Sequence, residues 1–200
     1  MDRPPVILLG VTVDLSLTLM TGFPEYLRDA GWDVHVATSP GDRLDLLSTV
    51  PGITAHALPM EREPSPAADL RSLGQWRSLI ATTRPDVVTV GTPKAGLLGG
   101  IAAMLARVPG RVYVLRGLRL ETTTGAQRLV LTALERLSCA VAHEVIAVSP
   151  SLRKRALDLR LVPARKIRVL GEGSSNGVDL SRFAPDAVSS EEVAALAAQL

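Results

Sequence analysis

The sequence predicts an α/β fold built on a doubly wound parallel sheet, and three observations carry that expectation. Short, near-continuous Val/Ile/Leu runs alternate along the chain with longer segments of helical periodicity. The apolar runs lack the strict alternation of a strand with one wet face, as expected where helices cover both faces of a parallel sheet. The chain has 200 residues, short of the ~250 that a closed eight-fold barrel usually takes.

Taken in order, Val6–Val13 reads as a buried strand and Leu17–Ala30 as a helix, closed by Gly31 at the position where a left-handed residue ends helices. Asp33–Thr38 and Ile53–Leu58 read as the second and third strands, and Leu70–Thr83 as a helix that stops before Pro85. Asp86–Val90 is a strand, followed by a helix from Pro93 to about Arg107. Arg111–Leu115 is a strand leading into a long helix over Gly125–Ala142. Val145–Val148, Ser151–Leu159 and Ile167–Leu170 complete the alternation as strand, helix and strand. Residues 1–171 are thus expected to form one domain. The Gly/Ser-rich passage after Leu170 reads as a linker or ligand loop. Ser189–Leu200 reads as a helix, opened by the capping signal Ser-Ser-Glu-Glu. A domain followed by a linker and one more helix has the look of the first half of a longer protein.

Composition excludes several classes. Hydrophobic residues make up 46% and charged residues 21%, which a disordered chain would not show. One cysteine, Cys139, excludes a disulfide framework, and His35, His56 and His143 show no metal-ligand spacing, so no metal is expected. No apolar run approaches the ~20 residues of a membrane span, and the acidic start argues against a signal peptide. A cytoplasmic location is the expectation, with peripheral attachment to the inner face of the cell membrane added where the basic block between Arg107 and Arg168 meets an anionic surface. Between Arg107 and Arg168 stand thirteen basic and four acidic residues, a local net charge of +9 against +2 for the whole chain. Such a block meets phosphates or an anionic membrane, or is simply a solvated arginine-rich face. Nucleic acid is disfavoured, because aromatics are 3% of the chain and form no stacking platform.

Ligands of doubly wound sheets bind at the carboxyl ends of the strands, so the loops there hold the candidates. The first turn, Val11–Ser16, has no glycine fingerprint and no Walker lysine, which disfavours a stand-alone nucleotide-binding domain. Ser16 and Thr18 can offer hydroxyls to an anion or merely cap the helix. In Gly91-Thr-Pro-Lys-Ala-Gly96, Thr92 is the expected N-cap with Pro93 at the first helical position. Lys94 then sits at the helix end where a cation is unfavourable, unless an anion joins it; a solvated lysine is the alternative. Gly96, Gly99 and Gly100 imply close packing or close backbone approach to a ligand. Arg116, Arg119 and Glu121 share one loop, as a phosphate or sugar clamp or as a surface ion-pair cluster. Glu61 and Glu63 lie in a Pro-rich loop that gives a carboxylate pair no fixed geometry. His35 and His56 read as core histidines, and Cys139 as buried and inert.

Five passages, in order, resemble the bacterial retaining glycosyltransferases of family 4, of the polysaccharide-assembly type: Pro-Met-Glu-Arg-Glu at 59–63, Thr-Pro-Lys-Ala-Gly at 92–96, Leu-Arg-Gly-Leu-Arg at 115–119, Ser-Pro-Ser-Leu-Arg at 149–153, and Gly-Ser-Ser-Asn-Gly-Val-Asp at 173–179 with Phe183. The resemblance implies a Rossmann-like N-terminal half of a GT-B fold, mainly acceptor-binding. Its second domain, holding a nucleotide-sugar (a UDP-sugar in most members), lies beyond this chain, and residues 172–200 would begin the connection to it. The acceptor implied is a lipid-linked or polysaccharide sugar, the cofactor requirement none, and the half-enzyme alone inactive.

Carried onto this sequence, the resemblance places Lys94, Arg116 and Arg119 on phosphate or sugar. It puts Glu61, Arg62 and Glu121 in the same cleft, and Asn176 and Gly177 at the interdomain hinge. Members often carry histidines where this chain has Thr89, Gly91 and Arg116, so no catalytic residue is transferred. Half of a GT-B sugar epimerase and a non-catalytic partner subunit stand as alternatives.

Overall fold

A computed structural model describes residues 3–61, 65–177, 184 and 188–198 of the chain. Seven parallel strands form one sheet in the order β3-β2-β1-β4-β5-β6-β7. They are β1 (Val6–Gly10), β2 (Asp33–Thr38), β3 (Ile53–Ala57), β4 (Val87–Gly91), β5 (Gly110–Leu115), β6 (Glu144–Ala147) and β7 (Ile167–Arg168). The helices are α1 (Phe23–Asp29), α2 (Asp42–Ser48), α3 (Pro66–Thr83), α4 (Pro93–Leu105), α5 (Gly125–Val141), α6 (Pro150–Asp158) and α7 (Ser190–Ala197). The order reverses between β1 and β4. That reversal opens a crevice at the carboxyl end of the sheet, where ligands of this fold class bind.

Each face has its own core. Leu27 of α1 and Leu44 of α2 pack with Ile7, Leu9, Val34 and Val36 over the β1–β3 side. On the opposite face Trp76 of α3, Leu98 and Ala102 of α4, Cys139 of α5 and Ala156 of α6 pack with Leu8, Val88, Tyr113 and Val145. The glycines of α4 serve that packing. A Cβ on Gly96 would come within 2.4 Å of the Tyr113 ring, and one on Gly99 within 2.9 Å of Val90. Small residues here let α4 lie close against the sheet.

Three elements differ from the sequence reading. The first crossover is not one helix: a 3-10 segment, Asp14–Met20, precedes α1. Gly22 adopts φ +77 between them, and Pro24, with no N–H to give, fits the first turn of a new helix. Helix α2, absent from the expectation, begins at Gly41, where the Leu44 and Arg43 amides donate to the Asp14 carboxylate at 2.7 and 3.3 Å. That cap comes from about thirty residues upstream and leaves no local signal. The segment Arg119–Thr122, read as loop, is a 3-10 turn.

Candidate functional site

The turns after β1, β4 and β5 enclose a cavity of about 580 Å³ at the switch point. Two threonines set its floor. Thr92 Oγ1 accepts from the Thr12 amide at 2.9 Å and lies 2.7 Å from Thr12 Oγ1, which in turn accepts from the Ala95 amide at 3.1 Å. The hydroxyl that caps α4 is therefore Thr12 on the neighbouring strand's turn, not Thr92, whose side chain makes no capping bond. Thr92 is held at φ +76, costly for a β-branched residue, and its two bonds to Thr12 hold it there.

Four of the residues singled out from the sequence line this cavity: Ser16, Lys94, Arg116 and Arg119. Lys94 is not a solvated lysine. Its Nζ sits 2.7 Å from Asp69 Oδ1 of α3, with 11% of its side chain exposed. The pair neutralises the charge that the start of α4 disfavours and fixes the ammonium beside the cavity. Arg116 emerges from β5 and lays its guanidinium over Gly91, where any Cβ would come within 1.7 Å of Nη1. Its Nε donates to Ser175 Oγ at 3.0 Å, while Nη1 is buried without a hydrogen-bond partner. Burial lowers the Arg116 pKa and Tyr113 opposes the shift, yet an arginine remains a cation. A buried guanidinium N–H lacking an acceptor, at the edge of an open cavity, is chemically disposed to take an anionic oxygen.

The other candidates lie elsewhere. Thr18 lines a separate hollow with Arg43 and Glu25, and its hydroxyl donates to the Leu15 carbonyl. Glu61 lines another with Arg71 and Gln75, and Arg62 lies outside the described residues. Glu121 pairs with Arg155 at 2.5 Å, so the Arg116–Arg119–Glu121 loop is not one clamp: the arginines face the cavity and the carboxylate faces α6. Asn176 donates to the Thr21 carbonyl and lines a hollow of about 350 Å³ with Ser174, Ser175 and Arg116. Gly177, at φ +82, follows it. Arg116 borders both this hollow and the switch-point cavity, and so links the loop of residues 171–177 to the site.

Sequence reasoning passed over one buried polar pair. Tyr113 Oη donates to Glu135 Oε1 at 2.8 Å, a buried pair at the back of the cavity. Burial pushes the Glu135 carboxyl up to about 7, against the opposing effect of the tyrosine hydrogen bond. A glutamate amid apolar residues on a helix that packs inward was the available signal. Cys139 is buried, its thiol pushed up to about 12 by burial and by Glu135, which makes it inert as expected. His35 Nδ1 and His56 Nε2 are 2.8 Å apart, a mutually satisfied pair on β2 and β3.

Most of the basic block serves the fold. Arg111 Nε donates to the Val141 carbonyl and Lys166 Nζ to that of Ala140, at the end of α5. Arg136 reaches the Leu159 and Arg160 carbonyls past the end of α6. Arg153 donates to the Ile167 carbonyl, and Arg168 pairs with Glu144. Cations at helix C-termini satisfy orphan carbonyls and oppose the negative end of the helix dipole. No group of three or more potential metal ligands occurs among the described residues, and none of their helices is long and apolar enough to cross a membrane.

A doubly wound sheet with a cation-lined cavity at its switch point defines a Rossmann-like α/β domain. Residues 22–173 match the model of the glycosyl transferase 4-like domain, and the chain belongs to that family. It is 41% identical over 176 residues to the capsular polysaccharide biosynthesis glycosyltransferase CapM of Staphylococcus aureus, covering 88% of this chain and 46% of that protein. It is 32% identical over 118 residues to the UDP-Gal:alpha-D-GlcNAc-diphosphoundecaprenol alpha-1,3-galactosyltransferase of Escherichia coli, covering 58% of this chain and 30% of that one. The chain thus spans less than half the length of either relative. Among solved structures, Anabaena HepE in complex with UDP-glucose superposes with a TM-score of 0.66 at 18% identity, over 97% of this chain and 49% of its own. A UDP-N-acetylglucosamine 2-epimerase does so with 0.64 at 18% identity, over 85% of this chain and 49% of that one. At that identity the likeness is one of fold, the Rossmann-like half of GT-B proteins.

Proposed function

We propose that this chain is the acceptor-binding half of a retaining glycosyltransferase that moves a sugar from a nucleotide-sugar, of the UDP type, to a diphosphate-linked lipid acceptor in polysaccharide assembly. The observation that carries the reading is the switch-point cavity, with Lys94, Arg119 and the unpartnered Nη1 of Arg116 on its wall. A diphosphate presents several charged oxygens, and two arginines together with a lysine held by Asp69, beside the amino end of α4, match them. The relatives fit this chemistry: one acts in capsular polysaccharide biosynthesis, and the other takes a sugar diphosphoundecaprenol as acceptor. Glu61, Asn176 and Gly177 lie outside this cavity, and in this reading border the wider cleft that a donor domain would complete.

The division of labour predicts that the chain binds acceptor without needing donor, and transfers no sugar alone. Calorimetric titration with a soluble glycosyl diphosphate and, separately, with a UDP-sugar tests it. The glycosyl diphosphate should bind, and Arg119→Ala should weaken it about tenfold, the worth of one charge-assisted hydrogen bond. Tight UDP-sugar binding that ignores Arg119→Ala, or steady sugar transfer by the chain, would contradict the reading.

A further inference from the structure

The switch-point cavity does not end at its cations. Pro93, Lys94 and Arg119 also line a second, narrow slot of about 90 Å³ between α4 and α5. Five leucines wall it: Leu97, Leu98, Leu120, Leu131 and Leu134. The polar atoms at its base are already satisfied within the protein. Glu135 accepts from Tyr113, and Ser138 Oγ donates to the Leu134 carbonyl at 3.0 Å. Asp69 at the mouth is held by Lys94, so beyond Lys94 and Arg119 the slot offers an occupant mainly apolar contact.

The apolar surface continues outward along both helices. On α4, residues 97, 101 and 104 share one face, and Met104 and Leu105 are 40% and 56% exposed. On α5, Val130 and Leu137 flank Leu134 at helical spacing and are 57% and 42% exposed. The two helices pack side by side, so these residues extend the slot as an apolar furrow running away from the cations.

We infer that this furrow seats the first isoprenoid units of a lipid diphosphate, whose diphosphate rests on Arg119, Arg116 and the Lys94–Asp69 pair. The inference rests on the acceptor reading above and adds where the lipid lies. Continuity with the cavity is the argument: a cationic wall opening directly into an apolar slot has the polarity sequence of an amphiphile, charged head then hydrocarbon tail. A water-soluble acceptor would leave the furrow unused and its exposed leucine and valine side chains unexplained.

Titration with inorganic pyrophosphate, farnesyl diphosphate and farnesol separates the two layers of the claim. Farnesyl diphosphate should bind at least about tenfold more tightly than pyrophosphate, since sheltering even two methylenes contributes that much. Val130→Gln should cut this advantage below about threefold, leaving pyrophosphate affinity and melting temperature unchanged, since Val130 is exposed; Leu134→Gln, half-buried in the slot, should cut it likewise, leaving pyrophosphate affinity unchanged but lowering the melting temperature. If pyrophosphate fails to bind while farnesol binds and is weakened by Val130→Gln, the headgroup reading falls and the furrow stands. Equal affinity for the two diphosphates together with no farnesol binding overturns the furrow. So does a tail advantage that both variants leave intact. Self-association of the chain that Val130→Gln abolishes would assign the surface to a second copy and overturn the proposal as well.

Discussion

Arg116 and Gly91 form a single unit. The guanidinium occupies the volume that any side chain at position 91 would fill, so the glycine is there for the arginine rather than for backbone freedom. Both were visible in the sequence, but the contact joins the ends of two strands and could not be read from either. The same holds for Thr12 capping α4 across 83 residues. Lys94 was legible as an oddity at the wrong helix end, and its solution, Asp69, came from another helix. Glu135 carries a consequence for pH dependence. Its folded pKa is raised to about 7 from 4.5, so the folded state holds the proton over that window while the unfolded state releases it. Stability contributed by this group is highest below about pH 4.5, falls as pH rises towards 7, and is flat above, a loss on the order of 3 kcal/mol. Glu135→Gln keeps an acceptor for Tyr113 and removes the titration. Denaturant titrations from pH 5 to 8 should show the wild-type slope and a flatter line for the variant, and equal slopes would refute the assignment.

Among the elements, β1 was the most legible, because burial on both faces leaves an unbroken Val/Ile/Leu run that needs no partner to be recognised, and the other strands keep shorter apolar runs of the same kind. Helix α2 was not, since its cap is the distant Asp14 and its few apolar positions give a weak period. The arginine-rich segment shows a different limit. Composition gives the charge of a stretch, while topology decides which end of the sheet each side chain serves. Arg111, Arg136, Arg153 and Lys166 donate to backbone carbonyls, three of them at helix ends, whereas Arg116 and Arg119 alone of that block line the cavity. Arg136→Ala should therefore lower stability by about 1 kcal/mol, seen as a melting temperature lower by about 2–4 °C. It should leave pyrophosphate binding unchanged. A loss of binding with unaltered melting would mean that the block acts at the ligand after all.

For the molecule as a whole, the doubly wound architecture followed from pattern, and the place of the site followed from the architecture: the strand order reverses at β1 and β4, and the cavity opens there. Four of the ten residues picked from sequence converge on it, those directly following β1, β4 and β5 or in the helical turns just beyond. Of the rest, Glu61 and Asn176 leave other strands, Thr18 and Glu121 share a segment with Ser16 and Arg119 but point to Leu15 and Arg155, and Arg62 lies outside the described residues. Amide NMR of the chain titrated with a soluble glycosyl diphosphate locates the bound diphosphate on the sheet. Shifts concentrated at Ser16, Thr92, Lys94 and Arg116–Arg119 are the expected result. Shifts centred instead on the Thr18–Arg43 hollow or around Glu61 and Gln75, with the switch-point amides unmoved, would contradict it.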